Sequence, residues 1–407
     1  MRILILTNSF PHTSETFIHN HIQGLADRGN QVTVFAKRAK RNAENTDPDQ
    51  LYRIVYYSTA QKNRAAFNAL QSTFFYVLRH PLRFFSVLRQ IAVHHDWAVL
   101  QSFAAARRIS GETFDVTHAE FGPLGNIALA LRACDVKTGP ICTSFRGADI
   151  SSYLKRRPRS YCLLSKKGDL FLPVCKAFIP RLTEIGFPSR RIQVYHSAVD
   201  LTGFPFRGTE ASVTGKPGRL IALGRFVRKK GFHLAVELLA RLQNDGFDLQ
   251  LELIGDGPER ETVLARAEEA GVADKVLSPG WLGRAEILEH LQRADVCLGT
   301  SVTPETGELE GIPNVLKEAM AVGVPVVAFD HSGVAEIVQN GVTGFLLPEG
   351  DIDAMAGAVR QLLENKKTAA SIITAARALI EDEYGVENQA AAAEKLYRSC
   401  NENSGLL

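Results

Sequence analysis

The sequence predicts an α/β protein of two domains, each a parallel sheet wound with helices. Three observations predict it. Short apolar runs alternate with longer segments of helical spacing along nearly the whole chain, the pattern of strands that cross over through helices. That alternation pauses after Pro188, through Arg191 to Asp200 and the polar, glycine-containing stretch Arg207 to Gly218, and then restarts. A length of 407 residues also exceeds what one hydrophobic core usually serves.

In the first half, strands are expected at Arg2 to Thr7, Gln31 to Ala36, Val116 to Ala119, Pro140 to Phe145 and Leu170 to Val174, with a helix over Phe17 to Gly29. In the second, strands are expected at Leu220 to Leu223, Leu249 to Ile254, Val276 to Pro279, Val296 to Thr300, Val324 to Phe329 and Phe345 to Leu347. Helices over His233 to Gln243, Ala285 to Ala294 and Val315 to Ala321 lie between them. The Ala-rich tail from Tyr384 reads as a helix packing back on the first domain. The expected division is 1–200, 201–383 and 384–407. Two such sheets, facing each other, would place the carboxyl ends of their strands around one cleft, where open α/β sheets take ligands.

Composition narrows the function classes. With 45% apolar and 22% charged residues the chain reads as soluble and globular, and 47 basic against 44 acidic side chains give only +3, too little to imply nucleic acid. Six scattered cysteines without a Cys-x-x-Cys pair indicate neither a disulfide framework nor a zinc site. The apolar run Ile3 to Leu6 is far short of a signal segment, and no stretch approaches a spanning helix. A cytoplasmic protein is expected, touching a membrane at most from its inner surface.

The most informative stretch is Glu310-Gly-Ile-Pro-Asn-Val-Leu-Lys-Glu318. Pro313 suits the first helical position. Gly311 and Ile312 bring no capping side chain, so the amides of Asn314, Val315 and Leu316 are open to a phosphate, which gains the helix dipole as well. Glu310 then lies within reach of a sugar beside that phosphate, and Glu318, further along the helix, within reach of a ribose. Two glutamates at this spacing also occur by chance. The second domain, however, opens with a strand running into Gly224-Arg225 and Lys230-Gly231, which places cations in the first turn, where a departing diphosphate needs them.

Together these elements resemble the retaining GT-B glycosyltransferases of family 4, which carry the Gly-Arg…Lys-Gly turn and the Glu-x7-Glu element in this order. The resemblance covers nearly the whole chain and implies GT-B architecture, two Rossmann-like domains across a cleft. It implies that Arg225 and Lys230 hold the diphosphate, Glu318 the ribose and Glu310 the transferred sugar. It also places the base near Gly255-Asp-Gly257-Pro258 and Gly280-Trp281, although Trp281 could equally be core. Phe10-Pro11-His12-Thr-Ser14-Glu15 and His118-Ala-Glu120-Phe121-Gly122 are similar to the subgroup that builds bacterial exopolysaccharides, colanic acid among them.

The acceptor side is less legible. Thr13, Ser14 and Glu15 stand where many family members have two glycines, and Ser14 or Thr13 could simply cap the helix. His118 resembles the family's histidine beside the sugar, where it would act as a catalytic neighbour, or is a satisfied core histidine. Arg146, with Asp149 in Phe145-Arg146-Gly147-Ala-Asp149, replaces the usual histidine and could meet acceptor phosphate. No clear second carboxylate for a nucleophile stands at the cleft edge of the first domain, and the resemblance implies front-face attack instead.

No metal or other cofactor is expected. Asp47-Pro-Asp49 sits in a polar loop and Asp351-Ile-Asp353 at a helix start, both away from the inferred cleft. The segment from Arg64 to Ser110 interleaves aromatics with arginines, which suits an interfacial helix and suits a helix covering the sheet. The expected partners are a nucleoside-diphosphate sugar and a saccharide, or lipid-linked saccharide, acceptor. The competing functions are a sugar-nucleotide binding protein without catalysis and an epimerase of the same architecture.

Overall fold

A computed structural model describes residues 1–11, 15–38, 51–56, 106, 108–109, 111–134, 136–209 and 217–404. The chain divides into two compact units, Met1–Ala198 with Val386–Leu407, and Val199–Gly385.

Unit 1 carries strands β1 (Arg2–Ser9), β2 (Gln31–Arg38), β3 (Tyr52–Tyr56), β4 (Val116–Ala119), β5 (Ile141–Phe145) and β6 (Leu170–Pro173), in the order β3-β2-β1-β4-β5-β6. Every pairing is parallel; Ile5, for example, stands opposite both Val34 and His118. Helices α1 (Thr16–Asp27) and α2 (Gly122–Ala133) follow β1 and β4. Ile3, Leu4, Ile5 and Leu6 are all fully buried, as a strand covered on both faces requires. The predicted strands are present within two residues at each end. The edge strand β3, Tyr-Arg-Ile-Val-Tyr, was not expected, because one short run beside a polar loop gives little periodicity.

Unit 2 carries β7 (Gly218–Leu223), β8 (Leu249–Ile254), β9 (Val276–Gly280), β10 (Val296–Gly299), β11 (Val326–Phe329) and β12 (Phe345–Leu347). Their order is β12-β11-β10-β7-β8-β9, again wholly parallel. The helices are α3 (Phe232–Asn244), α4 (Arg260–Glu269), α5 (Arg284–Arg293), α6 (Asn314–Val322), α7 (Ile352–Glu364) and α8 (Lys366–Leu379). Asp351 caps α7, its Oδ1 accepting from the Ala354 amide at 2.9 Å.

Both sheets have the doubly wound order in which the chain reverses direction between the first and fourth strands. In unit 1 that switch point separates β1 from β4, and in unit 2 it separates β7 from β10. Ligands bind such sheets outside the carboxyl ends of the strands at the switch point. This picks out four connections: those after β1, β4, β7 and β10.

The last helix, α9 (Val386–Ser404), returns to unit 1, as expected of the tail. It lies on α1 so closely that a Cβ added to Gly24 would come 2.7 Å from Val386 Cγ1. Ala393 and Tyr397 on α9 are buried with Ile18, Ile22 and Leu25 of α1.

Candidate active site

The turn after β7 is shaped by glycines. Gly255, in the turn after β8, has φ +133°, and a Cβ there would stand 1.9 Å from the Gly224 carbonyl oxygen. The two turns therefore press together backbone to backbone, with the Gly224 amide donating to Ile254 and the Phe226 amide to Asp256. Gly231, at φ +60°, leaves the same kind of gap for the Thr300 carbonyl. Only glycine fits these approaches.

That packing holds Lys230 against the connection after β10. Its carbonyl accepts from Thr300 Oγ1 at 2.8 Å, and its stem passes 3.1 Å from where a Gly224 Cβ would be. Lys230 Nζ donates to Glu310 Oε1 at 2.5 Å, with the two side chains only 13% and 16% exposed. Ser301 Oγ donates to the other Glu310 oxygen at 3.1 Å. Burial alone would raise the Glu310 carboxyl, but the Lys230 and Lys229 ammoniums and these hydrogen bonds outweigh it and hold it below its ordinary value. Beside this pair Lys229 Nζ meets Glu308 at 3.0 Å. Arg225 is exposed and forms no ion pair among the described residues.

Pro313 is the residue before helix α6 rather than its first residue, with extended backbone (φ −62°, ψ 122°) and no side chain capping the helix. The correction is one residue, and it closes one amide: Leu316 N donates to the Pro313 carbonyl at 3.1 Å. The open helix start is thus Asn314 and Val315, with Gly311 and Pro313 buried beside them. Glu318 sits one turn on, half-buried, and burial pushes its carboxyl up to about 7 against the pull of Lys317 and Arg284. Trp281 is 62% exposed, so it is not part of the core.

Ser301 and Glu308 were missed in the sequence. A signal for Ser301 existed, since the residue just beyond a strand at the switch point faces the ligand side. A further link, from Thr303 to Glu349 Oε1 (2.6 Å, through the amide) and from Glu349 Oε2 to His331 Nδ1 (3.1 Å), ties the connections after β10, β11 and β12.

In unit 1 the structure corrects the acceptor-side expectations. His118 is fully buried on β4, with Nδ1 2.5 Å from Tyr397 Oη and Nε2 2.8 Å from Ser144 Oγ. Neither ring nitrogen is left for a sugar hydroxyl, and burial pulls its pKa down to about 3. Glu120 is the carboxylate that sequence reasoning did not find at this edge. It follows β4 directly and is fully buried, where it bonds His21 Nδ1 at 2.6 Å and pairs with Arg146. Burial would raise it, but Arg146 and His21 hold it well below the ordinary carboxylate range.

Arg146 also reaches the Glu120 carbonyl and Ser197 Oγ (2.7 Å) and lies 4.0 Å over the Phe17 ring. Its guanidinium is spent on protein groups rather than turned to an acceptor phosphate. Asp149 accepts from the amides of Gly122, Arg146 and Gly147 and so braces a turn. Glu15 occupies the position before α1 without capping it through its side chain. Thr13 and Ser14 lie outside the described residues, as do Asp47, Asp49 and nearly all of 64–110.

Each of the two doubly wound units matches a glycosyltransferase profile. The Glycosyltransferase Family 4 profile matches residues 14–202, and that of Glycosyl transferases group 1 matches 210–379. The chain belongs to glycosyltransferase family 4. It is 32% identical to WcaL of Salmonella typhimurium, assigned to colanic acid biosynthesis, over 97% of this chain and 98% of that one. It is 29% identical to the amylovoran biosynthesis glycosyltransferase AmsK of Erwinia amylovora over 94% and 96%. Among solved structures, HepE of Anabaena in complex with UDP and glucose superposes with a TM-score of 0.71 over 98% of this chain and all of that one, at 18% identity.

Proposed function

We propose that the enzyme is a retaining, metal-independent hexosyltransferase that moves a hexose from a nucleoside-diphosphate sugar to a saccharide acceptor in exopolysaccharide or lipopolysaccharide synthesis. The observation that carries the donor assignment is the Lys230–Glu310–Ser301 cluster beside the open start of α6. In this reading the Asn314 and Val315 amides, Lys230 and the exposed Arg225 receive the diphosphate. Glu310 receives sugar hydroxyls, Glu318 the ribose, and Trp281 with Gly255 borders the base. The names of WcaL and AmsK support the polysaccharide pathway, and HepE's complex with UDP and glucose supports the donor class.

The chemistry follows from charge. As the anomeric bond breaks, negative charge grows on the diphosphate, and fixed cations and a helix start that meet it there lower the barrier without a metal. Attack from the same face, with the leaving phosphate taking the acceptor proton, retains configuration. The carboxylate at unit 1's switch point, Glu120, is tied up by Arg146 and His21, which favours this route over a glycosyl-enzyme intermediate.

The acceptor is a saccharide, free or lipid-linked at the inner membrane face. No helix among the described residues is long and apolar enough to cross a membrane, so contact there is peripheral in this reading.

The test is a thermal-shift screen against UDP-, GDP- and ADP-sugars, followed by NMR of the product's anomeric configuration. One nucleotide class should stabilise the fold selectively and the product should keep the donor's configuration. An inverted product, or stabilisation by none of the donors, would sink the reading.

A further inference from the structure

Resting on that donor assignment, we infer that Glu310 is a competing counter-ion for Lys230, so that donor binding exchanges one partner of the lysine for another and product release reverses the exchange. The carboxylate assigned to the sugar is the same group that, without a donor, holds the ammonium assigned to the diphosphate, at 2.5 Å. Both side chains are largely withdrawn from water, so separating them leaves each charge buried without a partner, and the rupture needs a replacement charge.

The geometry preserves this competition. Lys230 is fixed at its backbone by Thr300 and at its stem by the bare Gly224, and Glu310 is fixed from its other oxygen by Ser301. Lys229 is likewise matched by Glu308. Both lysines of the turn are therefore neutralised before any ligand arrives, and Arg225 alone of the assigned diphosphate cations has no described carboxylate partner.

An intact donor offers something to both members of the pair: phosphate oxygens to Lys230 and sugar hydroxyls to Glu310. A bare nucleoside diphosphate, the product, offers something only to Lys230. Glu310 then loses its partner without compensation, and a buried unpaired carboxylate is costly. The pair thus discriminates against the product, which differs from the donor by the sugar that has just left.

Removing the Glu310 charge should therefore tighten product binding while weakening donor binding, the reverse of what deletion of a simple ligand contact does. The experiment is calorimetric titration of UDP, GDP and ADP into the wild type, Glu310→Gln, Lys230→Met and the double variant, with Glu310→Ala as the replacement if the glutamine variant does not fold. Glu310→Gln should bind the diphosphate about fivefold to tenfold more tightly than the wild type, the scale of a partly buried charge pair. That gain should vanish in the double variant, and diphosphate binding by Glu310→Gln alone would support the inference too. Equal or weaker binding by Glu310→Gln, or a gain that persists without Lys230, overturns the counter-ion role and leaves the donor assignment standing. If none of the three diphosphates binds any of the four proteins, the donor assignment fails and the inference falls with it.

Discussion

The hydroxyl of Tyr397 sits 2.5 Å from Nδ1 of His118 and 3.1 Å from Nε2 of His21, joining α9 to β4 and α1 in the core of unit 1. His118 continues to Ser144, and His21 continues to Glu120 and Arg146. One side chain near the end of the chain thus closes a polar network made from four segments of unit 1.

Tyr397→Phe keeps the ring and removes the hydroxyl, leaving two buried imidazoles short of a partner. The expected loss is about 1–3 kcal/mol, read as a lower urea midpoint, with faster amide exchange in α9 and α1. Unchanged exchange there would show that the network does not fasten the helix.

Acid should unfold the protein through the same network. His118 has its folded pKa lowered to about 3, so between about 6.5 and that value the unfolded chain binds a proton that the native one does not. Stability is fully present above that window and falls as pH drops through it. Glu120, also lowered, adds loss in the same direction below its ordinary range. The urea midpoint of the wild type should therefore decline from pH 7 to pH 4 (), and His118→Gln should flatten that slope above about pH 5 ().

Arg225→Ala should raise the transfer barrier by ~3 kcal/mol or more, by analogy with loss of one oxyanion donor. Arg225 is exposed, so the fold should not suffer. Retention of most of the rate at saturating donor would remove Arg225 from the diphosphate site.

Burial pushes the Glu318 carboxyl up to about 7, and a carboxylate accepts from ribose hydroxyls better than a carboxylic acid does. Donor affinity should therefore rise with pH across this value, with Lys317 and Arg284 as the neighbouring cations. The rise should disappear in Glu318→Gln; an identical pH profile in the variant would detach Glu318 from the ribose.

Treatment with EDTA should leave transfer intact, because cations and amides of the chain are assigned the charge that a metal would otherwise carry. Complete loss, restored by magnesium, would require a different donor site.

Much of the fold was legible because parallel strands buried on both faces must be apolar almost throughout. Val116–Ala119, Leu249–Ile254 and Phe345–Leu347 have the same boundaries in sequence and structure. In unit 2 the placing of Glu310, Lys230 and the uncapped start of α6 was legible because it lies in local chain geometry: a strand, a glycine turn and a helix start in fixed order. The pairing of Lys230 with Glu310 was not, since the two residues lie 80 positions apart.

Unit 1 shows the opposite case. His118, Glu120 and Arg146 were all visible in the sequence, yet their roles depended on which residues would face them. His21 comes from α1 and Tyr397 from the far end of the chain, and once these supply the hydrogen bonds the histidine is buried and satisfied. Sequence alone thus determined the two wound sheets and the glycine–lysine turn after β7, because period and spacing are local properties of the chain. Only the tertiary structure decided which polar side chains remain open to a ligand, because burial and hydrogen-bond satisfaction are set by partners that folding brings from afar.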